Sequence, residues 1–343
     1  MKKNCQPTAR RSKARNNGFS LVELMVAMAV GLILTAGLAS LFANSSKAGN
    51  DLEQSIRQME NGRYASVLLN EDISHAGFYG EISFTDITFT NPTSPCSTSL
   101  SGLGWDSTSL TVPTAVRGFL ASEAAALACL TNYKTGTSAL AIRHLESDSK
   151  NPNGLATNGD VYVQTSRCEK DPDTVKFIAS TAAADFTLRD FNCTLSNNVR
   201  RYVSRIYYIA SCNECTGTGT DTIPTLKSAE LTGNKIVVTP LAEGIEDLAF
   251  DYGFDTDSDG TPDTYLTKLS GIANAANNDW KNVTGIRIYI LSRANESTAN
   301  FTSPRQYSLG LAGTRGPFTD NFKRRAYTTT IRINNIAGPR ETT

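Results

Sequence analysis

Residues 19–43 read FSLVELMVAMAVGLILTAGLASLFA, an apolar run with one charge, Glu23, and no proline. At about 1.5 Å per residue, a helix of this length covers the ~30 Å hydrocarbon core of a bilayer. Ahead of it, residues 1–18 carry Lys2, Lys3, Arg10, Arg11, Lys13 and Arg15 and no acid. A basic flank predicts that the N-terminus stays cytoplasmic and the C-terminal part is exported. No later segment holds a comparable apolar run, so a single span is expected. No A-x-A-like site closes the run, which continues into Asn44-Ser45-Ser46. That argues against a removable secretory signal.

An ionisable residue in an apolar segment costs ~2.5–3.5 kcal/mol at a helix centre and less near an end. Glu23 therefore needs a partner. Cutting the Gly18–Phe19 bond creates an α-amino group four residues away. Ammonium and carboxylate can then neutralise each other between neighbouring subunits in lipid. The string Asn17-Gly18-Phe19-Ser20-Leu21-Val22-Glu23-Leu24-Met25 resembles the class III signal of type IV prepilins and pseudopilins. The resemblance implies that a membrane aspartyl peptidase cuts after Gly18 and that Phe19 becomes N-methylated. It also implies that Glu23 guides the subunit into a filament.

The helical pattern extends beyond the span. Lys47 to Ser74 contains no proline, and Leu52, Ile56 and Met59 step by four and three, with Val67 and Leu68 on the same side. This predicts one helix over residues 19–74, roughly 80 Å long, with Gly31, Gly37, Gly49 and Gly62 as weak points. The second half of that helix is expected to pack on the following domain, which the narrow stripe would serve.

After Gly77 short β-rich runs recur between Gly, Asn, Asp, Ser and Thr clusters. Strands are expected at Ala139–His144, Asp160–Gln164, Val175–Ile178, Val203–Ala210, Lys235–Thr239, Asp247–Tyr252, Val283–Leu291 and Ala326–Ile333. Residues 84–109 and 181–198 read as loops or insertions, and Ser122–Leu130 as a short helix. The expected organisation is a leader (1–18), a helix (19–74, transmembrane over 19–43) and an exported β-rich body (75–343).

The chain has 33 basic and 33 acidic residues, but without the leader the balance is 27 against 33. An acidic body has no general attraction for nucleic acid. Lys323-Arg324-Arg325 is expected to be a solvated strand edge. Removing the leader removes Cys5 and leaves Cys96, Cys129, Cys168, Cys193, Cys212 and Cys215. Six cysteines on an exported body fit an oxidising compartment. Of fifteen possible pairings, the sequential one closes the shortest loops. A redox role for Cys212-Asn213-Glu214-Cys215, or a metal role with His75 and His144, remains open.

Asp255-Thr256-Asp257-Ser258-Asp259-Gly260-Thr261-Pro262-Asp263 carries carboxylates at positions 1, 3, 5 and 9 and glycine at position 6, where a Ca2+ loop turns sharply. The candidate ligands are Asp255, Asp257, Asp259, Asp263 and the Thr261 carbonyl. Leu266 stands where an EF-hand has its bidentate Glu, so Asp251 or a distant residue would have to complete the shell.

Leu241–Leu248 running into Asp251–Asp255, Trp280–Arg293, Arg324–Ile331 and Tyr207–Ala210 resemble, in order, the PilW minor pilins. The resemblance is strong over the N-terminal 80 residues, moderate over 200–335 and loose over 84–200. It implies an α+β type IV pilin fold, a long N-terminal helix packed on an antiparallel sheet, with large insertions. It further implies a minor pilin of pilus assembly and priming, anchored in the inner membrane with its body in the periplasm. Its partners would be prepilin peptidase, other minor pilins and the major pilin. A J-type minor pseudopilin of type II secretion and a Ca2+-dependent pilus adhesin are the alternatives. No G-x-S-x-G, P-loop or H-E-x-x-H string occurs, and no enzymatic activity is expected.

Overall fold

The computed structural model describes residues 18–172, 174–267 and 279–341. The leader, with Cys5 and its basic residues, thus lies outside the described residues apart from Gly18. One helix, α1, runs Leu21–His75. The chain divides within it into Met1–Glu53 and Gln54–Thr343. In the first unit the apolar side chains of α1 are exposed, with Leu32 and Ile33 each 71% accessible.

The second unit begins with the remaining turns of α1. Strands β1 (Thr88–Thr90) and β2 (Thr111–Pro113) form a small parallel pair. They are followed by β3 (Val116–Phe119), α2 (Ala121–Ala125) and β4 (Ala139–Lys150). Next come β5 (Tyr162–Thr165), β6 (Phe177–Ser180), β7 (Val199–Ala210), β8 (Thr225–Thr232) and β9 (Lys235–Glu243). β4 lies along one edge of β7, while β5 and β8 share its other edge, giving an antiparallel seven-stranded sheet with β3, β6 and β9.

β10 (Ile245–Phe254), β11 (Thr264–Leu266), β12 (Val283–Arg293) and β15 (Arg324–Arg332) make an antiparallel four-stranded sheet in the order β11-β10-β12-β15. The hairpin of β13 (Tyr307–Ser308) and β14 (Thr314–Arg315) sits in the β12–β15 connection. All eight expected strands fall on observed ones. β8 was not expected, because Thr225-Leu226-Lys227-Ser228-Ala229-Glu230-Leu231-Thr232 puts two charges into a short apolar pattern. Both are satisfied inside the fold. Ser122–Leu130 is not a helix throughout: α2 covers only Ala121–Ala125.

The largest core joins α1 to both sheets. Ala65, Leu69 and Ile73 are fully buried against Leu140, Ile142 and Tyr207 of the larger sheet and Leu248, Ile288 and Ile331 of the smaller. The helix ends at His75, and Asn335 Nδ2 donates to the freed carbonyls of His75 (3.2 Å) and Ala76 (3.3 Å).

Candidate functional site

At the start of α1, Leu24 N–H donates to Ser20 O at 3.1 Å as the first helical bond. The Ser20 backbone N–H donates to Glu23 Oε2 at 3.4 Å. Ser20-x-x-Glu23 is thus half of a capping box, with the carboxylate returning to the helix start. That spacing was visible in the sequence. The motif therefore gives Glu23 a partner within its own chain while the Gly18–Phe19 bond is intact. A carboxylate in the first turn also suits the positive end of the helix dipole.

Further along, the face of α1 that seats on the body is not the apolar stripe. Leu52 and Val67 are 63% and 55% exposed, and Ile56 and Met59 are exposed as well; only Leu68 packs partly on the core. The buried face is Gln58, Gly62, Ala65, Leu69 and Ile73. At Gly62 the sheet approaches too closely for any side chain: a Cβ there would lie 2.3 Å from Tyr327 Cε2. Gln58 Nε2 donates to Ser292 O and Lys323 O, both at 3.0 Å, and so satisfies two carbonyls in that seam. A stripe count that weighs only large apolar residues selects the wrong side of such a helix.

Asp72 pins the last turns. Its carboxylate is reached by His144 Nε2 (3.1 Å), Arg205 Nη1 (3.0 Å) and the Tyr207 hydroxyl (2.8 Å). Arg205 in turn pairs with Glu230 at 2.7 Å. His144 Nδ1 faces Leu145 O at 3.0 Å, so both ring nitrogens meet acceptors. Burial pushes the Asp72 carboxyl up, but the His144 bond, the Arg205 charge and the Tyr207 hydroxyl together hold it below its ordinary value. Burial likewise acts on Tyr207, whose hydroxyl is raised further by Asp72. This cluster was not legible beforehand, since its members come from α1, β4, β7 and β8.

The acidic loop joins β10 to β11. Asp255, Asp257 and Asp263 each place a carboxylate oxygen within 4.8 Å of the others. Ca2+ bonds of about 2.3–2.6 Å fit that span. Asp259 instead accepts from the Thr261 N–H at 2.7 Å and from its hydroxyl, which holds the Asp259 carboxyl low. Asp263 is held low by the Thr256 hydroxyl and N–H. Asp255 is buried, accepts from the backbone of Ser258 and Gly260, and pairs with Arg340 Nη1 at 2.9 Å. Gly260 has φ +87°, and a Cβ there would meet Ala337 O at 2.5 Å. Asp251 accepts from the Tyr289 hydroxyl at 2.9 Å and the Leu311 N–H at 3.2 Å.

Residues 206–335 match the family described as type IV pilus-assembly protein W, and residues 13–39 match the prokaryotic N-terminal methylation motif. The chain is type IV minor pilin-like. Searches of curated proteins and of solved structures give no match. The first match spans both the acidic loop and β12–β15, where α1 seats; the second spans Gly18, Phe19 and Glu23. A place in a type IV pilus system implies pilins and a prepilin peptidase as partners in general. One apolar N-terminal helix agrees with a membrane-anchored pilin.

In this pilin-like body three disulfides are closed, Cys96–Cys129, Cys168–Cys193 and Cys212–Cys215. The first joins the β1–β2 connection to the segment between α2 and β4, and the second joins the β5–β6 and β6–β7 connections. Lys323-Arg324-Arg325 lies at the edge strand β15 with Arg325 exposed, but Arg324 is buried, with Nη2 3.0 Å from Glu246 Oε1 and 2.6 Å from Asp320 Oδ2. Arg324 lies across the Phe318 ring, and Arg325 over Tyr327.

Proposed function

We propose that this chain is a minor pilin that takes part in assembling and priming a type IV pilus. Prepilin peptidase cuts Gly18–Phe19 and methylates Phe19, and the subunit waits in the inner membrane with its body in the periplasm. The new ammonium of Phe19 then competes with the Ser20 N–H for Glu23 and pairs with it across neighbouring subunits. Other minor pilins and the major pilin are the partners. The role is structural, with no catalysis. One observation carries this reading: the methylation motif covers the start of a helix whose second half packs on the region of the pilus-assembly match, and whose large apolar residues stay exposed past the span, at Leu52, Ile56 and Val67. Exposed apolar side chains at helical spacing, on a helix already seated by its other face, suit packing against further helices.

The Asp255, Asp257 and Asp263 oxygens would hold Ca2+, a cation that would neutralise carboxylates otherwise in mutual repulsion. It would share Asp255 with Arg340.

The test is deletion of the gene in its host. Loss of surface pili with normal export of secreted enzymes supports the pilus reading. Intact pili with blocked enzyme export assigns the subunit to a secretion filament instead.

A further inference from the structure

Cys212 and Cys215 close their disulfide across Asn213-Glu214 alone, in the turn between β7 and β8. That turn is held without it. The Asp221 carboxylate accepts from the backbone N–H of Asn213 (2.9 Å), Glu214 (2.8 Å) and Ile223 (2.9 Å). Cys96–Cys129 and Cys168–Cys193, by contrast, span 33 and 25 residues and tie distant segments.

β8 carries Lys227 to the sulfurs. The residue is 6% exposed, and its ammonium donates to Asn213 O at 2.9 Å and to Cys215 Sγ at 3.3 Å. Its bonded partners are therefore a carbonyl and a sulfur, while the charges of Glu214 and Asp221 act from further off. Cys212 is buried and Cys215 partly exposed. A buried cation against one sulfur of a C-x-x-C pair favours the thiolate form of that sulfur. A lysine placed only for the turn would need no sulfur contact.

We propose that Cys212–Cys215 is a redox-active disulfide that takes electrons from a dithiol, with Lys227 stabilising the Cys215 thiolate. The first thiolate of the dithiol attacks the accessible Cys215 Sγ. A mixed disulfide forms, the Cys212–Cys215 bond breaks, and Cys212 leaves as a thiolate that takes a proton. The second thiolate of the dithiol then attacks its own sulfur in the mixed disulfide. The dithiol closes to a disulfide, and Cys215 leaves as a thiolate against the Lys227 ammonium. Two electrons pass to the protein; one proton ends on Cys212 and one in solvent.

The test uses the full-length protein in detergent, equilibrated over graded ratios of reduced to oxidised dithiothreitol. Free thiols are trapped with iodoacetamide and located by peptide mass spectrometry. Cys212–Cys215 opens at a reductant ratio at least about tenfold below the other two disulfides. Lys227→Gln raises that ratio about tenfold, the effect of one unit in thiol pKa, and Lys227→Arg restores most of it. Opening of all three together, or a Lys227→Gln protein of unchanged circular dichroism and unchanged ratio, overturns the proposal. Should Lys227→Gln fail to fold, the reduced wild-type protein decides: Cys215 alkylates about tenfold faster than Cys212 near neutral pH, whereas equal rates overturn it.

Discussion

The two halves of α1 obey opposite rules. From Leu21 to Ala43 large apolar residues run all round the helix and stay exposed, as lipid or neighbouring subunits require. From Gln54 to His75 the buried face is built from Gly62, Ala65, Leu69, Ile73 and a glutamine, while Ile56 and Val67 lie on the exposed side. Within one helix, apolar residues serve two ends: in the first half they stay uncovered all round, and in the second Leu69 and Ile73 seat on the body while Gly62 and Ala65 let it come close.

The largest effect is expected at the seat of α1. Leu69→Ala removes a fully buried side chain and costs about 3 kcal/mol of body stability. Leu52→Ala and Val67→Ala change it by less than about 0.5 kcal/mol. Denaturant unfolding of the full-length protein in detergent checks both, and equal costs on the two faces would erase the distinction. Gly62→Leu should be nearly as harmful, at about 1–3 kcal/mol, because its side chain meets the Tyr327 ring. Adding Tyr327→Ala should recover part of that loss.

Asp72 comes next. Asp72→Asn leaves Arg205 and His144 facing a neutral group and costs about 2–3 kcal/mol. The folded protein holds the Asp72 carboxyl below its ordinary value of 3.8. Its contribution is therefore fully present above that value and is lost as pH falls through the lower, folded one. Unfolding measured from pH 6 down to about pH 2 should show a stability loss below pH 4 that is smaller in Asp72→Asn. An unchanged acid limb would mean that the Asp72 pairs contribute nothing net.

A smaller effect is expected at the acidic loop. Ca2+ at a hundredfold excess over its Kd adds about 2.7 kcal/mol to a folded state that binds it, but Arg340 already neutralises Asp255, so millimolar ion is needed. Tm should rise with Ca2+, the rise should vanish in Asp257→Ala with Asp263→Ala, and Arg340→Ala should enlarge it. Identical melting curves across that range would leave Arg340 as the counter-charge that serves Asp255.

Much of the fold was legible because it rests on local patterns: an apolar run of membrane length, a proline-free helix, and β-rich runs bounded by turn residues. Strand β8 escaped because Lys227 and Glu230 find partners only in tertiary structure, at Cys215 and Asn213 and at Arg205. The seating face of α1 escaped because closeness to Tyr327, not hydrophobicity, selects Gly62. Of the acidic loop, sequence spacing found Asp255, Asp257 and Asp263. It could not foresee that Asp259 turns to Thr261 or that Arg340 arrives from 85 residues away.

At the smallest end, Glu23→Gln should leave folding of the body and cleavage untouched, since only the Ser20 N–H bond at the helix start is weakened. Entry into pili, read by immunoblot of sheared filaments, should fall severalfold. Normal entry would make the charge dispensable for this subunit.

The most direct measurement is the mature N-terminus. Protein from cells that contain prepilin peptidase, analysed by N-terminal peptide mass spectrometry, should begin with N-methyl-Phe19 and keep α1 whole. A chain that still begins at Met1, or one cut after Ala43, would contradict the account.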